Sequence, residues 1–551
     1  MKKYWGYILS VVLVALLIGV SQVKVLRIDL TSDHRYSLSP NTKKMLSGIE
    51  GEVEATLYLA GSLNSGFTRL SRATEDILQE MAVYADIHYE AIDPNNDKYF
   101  SAKSREQLGN VLARYHYMPT AIYERNRQGQ QSETIVYPFL RLQQGEREQW
   151  VNLLTNQRGL SGAENLNSSI ESLEYLISEA LHCLQQTERS RVVFLEGHGE
   201  LPEQNTADVQ QSLARYFDVY RGQITDEADC LKPFKAVIIA DPQLPFSDKD
   251  KYIIDRYLMQ GGTVLWCLNG VQFSTQVLTD AGFTPVTPLD LNLSDMLFRY
   301  GIRINSRLLQ DVQCLPVPVD VSQDPERPQY QPMPWYFAPL LLTNPNNAVT
   351  RNLTQVNALF PSDISLVGED ATIEKEILLV TGNASRVIPT PGEVDLGDLN
   401  ADLSQFTYSY IPVAASLEGV FPSFFAHRML PEEVTGASAV EPRKTRQVVV
   451  ACGSVARNEV QQGQVLPAGY DRYSNMQFGN RDFIVNAVLW LTDDSGLIAL
   501  RRKSIPLRLL NESVLRSDLS LFQAAGIVLP LFILALAALI ILLIRKKRYT
   551  R

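Results

Sequence analysis

The segment Glu196-Gly197-His198-Gly199-Glu200 sets one imidazole and two carboxylates within five residues, with a glycine on each side of the histidine. Three chemistries are open to such a set. His198 with one or both carboxylates suits a metal ion, and His198 alone suits a general base, because imidazole titrates near neutrality. The third is a phosphate cradle at Gly197-x-Gly199, between a strand and a helix. That reading is weak here, because the next glycine of the fingerprint is replaced by Pro202 and no acid falls clearly at the ribose-binding distance. Against all three stands a structural reading, in which the glycines make a tight turn and His198 packs or hydrogen-bonds locally. Asp241, in Asp241-Pro242, and Asn269, in Asn269-Gly270, also follow apolar strand-like runs. Glu196, His198, Glu200, Asp241 and Asn269 are therefore expected as ligand or partner contacts, with no catalytic residue, metal or cofactor assigned.

Other chemistry is sparse. Cys267 ends an apolar run as a nucleophile would, but Trp266 and Leu268 flank it where a nucleophile elbow needs glycines. The five cysteines are odd in number, dispersed and without a Cys-x-x-Cys pair, which argues against a disulfide framework and a zinc site. No Gly-Lys, Gly-x-Ser-x-Gly or His-Glu-x-x-His sequence occurs, so the chain carries no Walker A loop.

The elements that position the five residues are legible. Arg191–Leu195, Ala236–Ala240 and Thr263–Leu268 are continuous apolar runs, and they alternate with helices expected from Pro202 to about Phe217 and over Asp248–Met259. Such alternation predicts an α/β, doubly wound parallel sheet of flavodoxin or amidotransferase type over 190–510, with ligands beyond the carboxyl ends of its strands. The pattern resumes at Gln447–Ser454 and a helix over Arg481–Leu491, after a Pro-rich, irregular insertion at about 311–422. The polar-aromatic stretch Tyr473–Phe483 reads as a helix entry capped by Asn480 or as a partner-binding loop. Upstream, 36–150 has the order βαβαββ of a thioredoxin-like domain. Pro119 is expected to be cis, and the Gly61–Gly66 loop lacks the redox cysteines, so no thiol exchange is possible there. A helix within 160–187 links the two domains.

Both ends are apolar. Residues 4–23 follow Lys2-Lys3, and 522–544 precede Arg545-Lys546-Lys547-Arg548; each is long enough to cross a bilayer, which takes about 20 residues. Gly19-Val20-Ser21 keeps a cleaved signal peptide open for the first. With the basic clusters outside both runs, including the 545–551 tail, the termini are expected in the cytoplasm and the bulk in the periplasm of a bacterial inner membrane. Removing the seven basic residues of the tips from the chain's net −10 leaves −17 between them, which disfavours nucleic acid as a partner.

Several stretches together resemble one family: Leu30-Thr31 with Arg35-Tyr36-Ser37-Leu38-Ser39, Glu196–Glu200, Tyr257–Gly262, Gly301–Asn305 and Phe478–Phe483. They are similar to the auxiliary, so-called substrate-binding, subunits of bacterial ABC transport systems, most of all the gliding-motility-associated ones of Bacteroidetes. The resemblance spans the whole chain. It implies a permease partner, a separate cytoplasmic ATPase and a role in gliding motility, with no catalytic residue; a protein or polysaccharide cargo is kept open as a further partner, since the match itself does not imply what is transported. A membrane-anchored enzyme working at His198 and a purely structural scaffold are the other classes to be separated.

Overall fold

The computed structural model describes the chain except for 1–36, 99, 115–116, 126–130, 155–160, 187–188, 321, 323–328, 369–371, 397–400, 437, 439, 494–495, 497, 499–518 and 550–551. The expected first apolar helix at 4–23 and a strand expected near Ile505–Leu510 lie outside the described residues. The chain divides into two units, Met1–Lys503 and Ser504–Arg551.

Two sheets of the first unit carry its main layers, one of four strands and one of ten. In the smaller, β1 (Val53–Leu57) pairs in parallel with β2 (Ile87–Ala91). A hairpin, β3 (Thr120–Arg125) with β4 (Gln131–Val136), stands apart from it. β5 (Phe139–Gln144) lies antiparallel to β1 and is followed by β6 (Arg147–Asn152), giving the order β2-β1-β5-β6. Helix α1 (Pro40–Leu46) begins where Pro at the first turn and a Ser39 side-chain cap predict it. α2 (Ser65–Met81) and α3 (Ala102–Arg114) follow, and α4 (Gly162–Gln185) opens with a capping box between Ser161 and Glu164. α4 is more than a connector. Its Leu173, Ile177, Leu181 and Leu184 are buried in the same core as Val53, Leu57 and Leu140 of the sheet.

The expected cis bond at Pro119 is not there: among the described residues the cis peptide is Thr390–Pro391. Pro119 precedes β3, which turns away into its own hairpin, so the strand entering the sheet beside β1 is β5, after Pro138.

The larger sheet has ten strands. Five are parallel: β7 (Arg191–Glu196), β8 (Asp218–Gln223), β9 (Ala236–Ala240), β10 (Thr263–Cys267) and, much later, Lys444–Val450. Their spatial order is second, first, third, fourth, fifth. The expected irregular insertion is instead an extension of this sheet. β11 (Cys314–Asp320), β12 (Tyr330–Thr343), β13 (Ile373–Val380) and β14 (Pro412–Val420) add on antiparallel, joining at the fifth parallel strand, β15 (Lys444–Val450). The prolines sit mainly in the outer β11/β12 hairpin, where a missing N–H costs least, and so they hid strand rather than loop.

Successive side chains of a strand point to opposite faces, and here both faces are dry. Val192, Phe194, Ile238, Leu265 and Val448 meet one core with α5 (Ala207–Leu213) and α8 (Asn480–Thr492). Val193, Val237, Ile239, Trp266 and Val449 meet another with α6 (Asp248–Met259) and α7 (Ser294–Tyr300). Layers on both sides explain why these strands are continuously apolar. The helix expected to run to about Phe217 is shorter, a 3-10 turn at Glu203–Asn205 and then α5.

The second unit contains α9 (Leu519–Tyr549), whose segment Gly526–Lys547 is long and apolar enough to cross a membrane.

Candidate functional site

In the order second-first-third, the chain leaves β7 and β9 toward opposite sides, and the cleft beyond their carboxyl ends is where such sheets bind ligands. Glu196 ends β7, Asp241 follows β9 and Asn269 follows β10, so the topology gathers the expected residues on one edge. They divide there into three hydrogen-bonded groups.

The turn after β7 needs its glycines, since Gly197 and Gly199 have φ of 117° and 75°. Between them the His198 carbonyl accepts from the Gln243 and Leu244 N–H groups, each at 2.8 Å, tying this turn to the one after β9. The His198 ring is 6% exposed and stacks on Phe246 with centroids 3.7 Å apart. Its Nδ1 lies 3.0 Å from Glu200 Oε1 and its Nε2 3.2 Å from Asp250 Oδ2. Glu200 Oε2 also accepts the His198 backbone N–H at 2.7 Å. Asp250 is held in place at the start of α6, where its own N–H reaches the Ser247 cap and the Ser247 hydroxyl donates to its Oδ2. Burial alone depresses the imidazolium, but the hydrogen bonds and charges of Asp250 and Glu200 outweigh it and carry His198 up to about 9. The ring is thus a cation at neutral pH with both N–H groups donated to carboxylates. A general base needs a free ring lone pair, and this one has none.

Glu196 belongs to a different group. Its Oε1 accepts from Arg221 Nε at 2.6 Å, and the same guanidinium reaches Thr206 Oγ1 at 2.9 Å and the Leu201 carbonyl at 2.7 Å. Asp241 and Asn269 form the third: Asn269 Nδ2 donates to Asp241 Oδ1 at 2.6 Å, and the Gly453 N–H donates to Asn269 Oδ1 at 2.8 Å. Gln243 also donates to Asp241 Oδ1. Asp241 has φ of 58°, a left-handed conformation that costs a non-glycine residue about 1 kcal/mol or more. Burial pushes its carboxyl up to about 6, against the opposing influence of Arg457, Gln243 and Asn269. The hydrogen bonds from Asn269 and Gln243 to its carboxylate both fall on Oδ1.

Among the described residues no cluster of three or more His, Cys, Asp or Glu side chains could hold a metal. Cys267 and Cys452 are fully buried, and burial raises both thiols, Cys452 to about 11, so neither is a thiolate nucleophile. The partners that sequence reading missed are Asp250, Phe246, Arg221 and Gly453. Ser247-x-x-Asp250 was visible as a helix start, but nothing local says that this Asp faces a histidine 52 residues upstream.

Gly453 is the tightest point of this edge. A Cβ there would lie 2.1 Å from Asp241 Oδ1, which Asn269 and Gln243 already hold. Gly453→Ala is expected to cost about 1–3 kcal/mol in chemical denaturation. The double variant Gly453→Ala/Asp241→Gly, which removes both the obstructing carboxyl and the strained backbone, should recover most of it. A double variant no more stable than Gly453→Ala would show that the clash is not with Asp241.

The strand-end residues of this mixed α/β unit are thus held in internal networks, and among the described residues a long apolar helix follows the unit in sequence. By comparison with family models, the chain belongs to the family described as ABC-type uncharacterized transport system, matched over residues 189–487. A second model, described as a domain of unknown function, matches residues 32–143. Among curated proteins, none matches significantly. Of solved structures, the mmIFT52 N-terminal domain is similar over 55% of this chain and 99% of its own, at 16% identity and a TM-score of 0.32. A likeness at that score assigns neither fold nor function.

Proposed function

We propose that the chain is a non-catalytic subunit of an ABC transport system, anchored in the bacterial inner membrane with both termini cytoplasmic and its bulk periplasmic. It recruits a permease, which in turn works with a separate cytoplasmic ATPase, and by resemblance the system is a GldG-like one serving gliding motility. The observation that carries this reading is the family match over 189–487 in a chain with no Gly-Lys dipeptide. An ATP-driven system needs its Walker lysine in another polypeptide. The long helix α9, with the basic residues Arg545–Arg548 at its C-terminal end, supports anchoring and the cytoplasmic placement of the C-terminus.

Within the soluble part, the order of the five parallel strands supports the flavodoxin-like reading, and the order β2-β1-β5-β6 supports a thioredoxin-like first domain. Of the five strand-end residues, Asp241 is the contact we assign to a partner or ligand, with Asn269 as its positioning neighbour. Glu196, His198 and Glu200 hold the turn that frames it.

Affinity purification of the full chain from native membranes should bring down a multispanning permease and a Walker-type ATPase in fixed proportion. Reproducible isolation of the chain alone, from gently solubilised membranes, would overturn the proposal.

A further inference from the structure

Away from the strand-end site, a cavity of about 330 Å³ opens where α4 of the first sheet's layer faces α8 and the turn at Arg351–Leu353. An adjoining space of about 420 Å³ shares Tyr117, Asn152, Glu179 and Arg215 with it. Small-molecule sites favour such junctions between folded parts and run from about 300 to 1,000 Å³. The first turn of α8 forms part of one wall, through Arg481 and Asp482.

The charges on the walls cancel. Arg215, Arg351 and Arg481 stand against Glu171, Glu179 and Asp482. Arg351 is 3.5 Å from Glu171, Arg481 is 3.4 Å from Asp482 and 3.8 Å from Asp208, and the Arg215 guanidinium lies 5.7 Å from the centre of the Tyr117 ring. A polyphosphate or a cationic peptide would meet as much repulsion as attraction. A wholly apolar ligand would strip water from these ion pairs without replacing it. A zwitterion would have to part the Arg351–Glu171 and Arg481–Asp482 pairs and the Tyr175–Glu179 hydrogen bond to find partners of its own, so the lining favours an uncharged ligand that hydrogen-bonds all round its rim. Guanidinium, carboxylate and amide groups, here joined by Asn152 and Asn352, each present two donors or acceptors in a plane. That spacing fits neighbouring hydroxyls on a ring, while Leu176, Leu353 and Val485 offer apolar surface for its C–H faces.

We propose that this cleft binds an uncharged saccharide, a single pyranose or a short oligomer. The proposal concerns a ligand of the soluble part and stands or falls apart from permease recruitment.

The test is calorimetry on the full chain in lipid nanodiscs, since maltoside detergents would compete. The probes are neutral oligosaccharides of glucose, galactose, mannose and N-acetylglucosamine, with inorganic pyrophosphate and tetralysine as charged controls. At least one neutral saccharide is expected to bind with millimolar or better affinity, and Glu179→Gln and Asn152→Ala should each weaken it by about tenfold. Thermal midpoints within a few degrees of wild type keep the variants informative. Absence of binding by every neutral sugar, tighter binding of pyrophosphate or tetralysine, or saccharide binding indifferent to both substitutions overturns the proposal.

Discussion

His198→Ala is expected to lower the unfolding free energy by about 3–5 kcal/mol near pH 7, the range for removing one partner of a buried ion pair. The truncation leaves the Glu200 side chain, 2% exposed, and that of Asp250, 13% exposed, facing each other across an empty site. It also removes the ring that covers Phe246. A signature beyond lost stability follows from the titration. The folded-state pKa of His198, about 9, lies above the unfolded value of 6.5, so its stabilisation is complete below pH 6.5 and disappears as pH rises through about 9. A shift of that size corresponds to roughly 3 kcal/mol. Wild-type denaturation midpoints should therefore fall between pH 6.5 and 9.5, and those of His198→Ala should be flatter over the same window. Asp241, pushed only to about 6, completes its titration below most of this range. An identical slope in the variant would show that the ring is not the titrating group. The strand-end reading adds a functional expectation: with membrane level restored, for example by assay at low temperature, His198→Ala should still recruit its partners.

Why the sequence reached the place but not the role of His198 can be stated physically. The strands were legible because burial on both faces leaves them continuously apolar, as in Ala236-Val237-Ile238-Ile239-Ala240, and helix α6 was legible from Ser247 to its Gly261 end. From those, the convergence of Glu196, Asp241 and Asn269 on one edge follows by topology. What decides between base, ligand and latch is a contact of 3.2 Å to Asp250, and no spacing rule encodes it. The same limit explains the antiparallel extension. Its β13 pairs with β14, and β14 in turn with β15, across long stretches of chain, and the alternation is broken by register shifts at Ile377–Val380. Pro119 shows a different error: the stretch from Thr134 to Leu142, read as one strand, is divided between β4 and β5, and it is β5 that enters the sheet beside β1.

Asp255→Ala should cost about 4 kcal/mol, for a different reason from His198. Asp255 sits on the C-terminal half of α6, 2% exposed, and accepts four hydrogen bonds: from Tyr300 Oη at 2.6 Å, Phe424 N at 2.9 Å, Ser423 Oγ at 2.7 Å and Phe425 N at 3.4 Å. It thereby fastens α6 to α7 and to the turn that carries the chain from the antiparallel extension back toward β15. Without the carboxylate, the Phe424 N–H and the Tyr300 hydroxyl are buried with no acceptor, and each such orphan costs about 1–3 kcal/mol. Asp255→Asn keeps the shape and one acceptor but turns donors toward Ser423 and Phe425, so an intermediate loss of about 2 kcal/mol is expected. The two α6 carboxylates then provide mutual controls. Asp255→Ala removes the anchor at one end of the helix and should retain the pH slope that His198 and Asp250 produce at the other. If stability near pH 7 is unchanged in Asp255→Ala, the turn at 423–425 does not depend on α6. If instead the pH slope disappears with Asp255, the two ends of the helix are coupled, and the latch at His198 is felt across the junction between the parallel and antiparallel halves of the sheet.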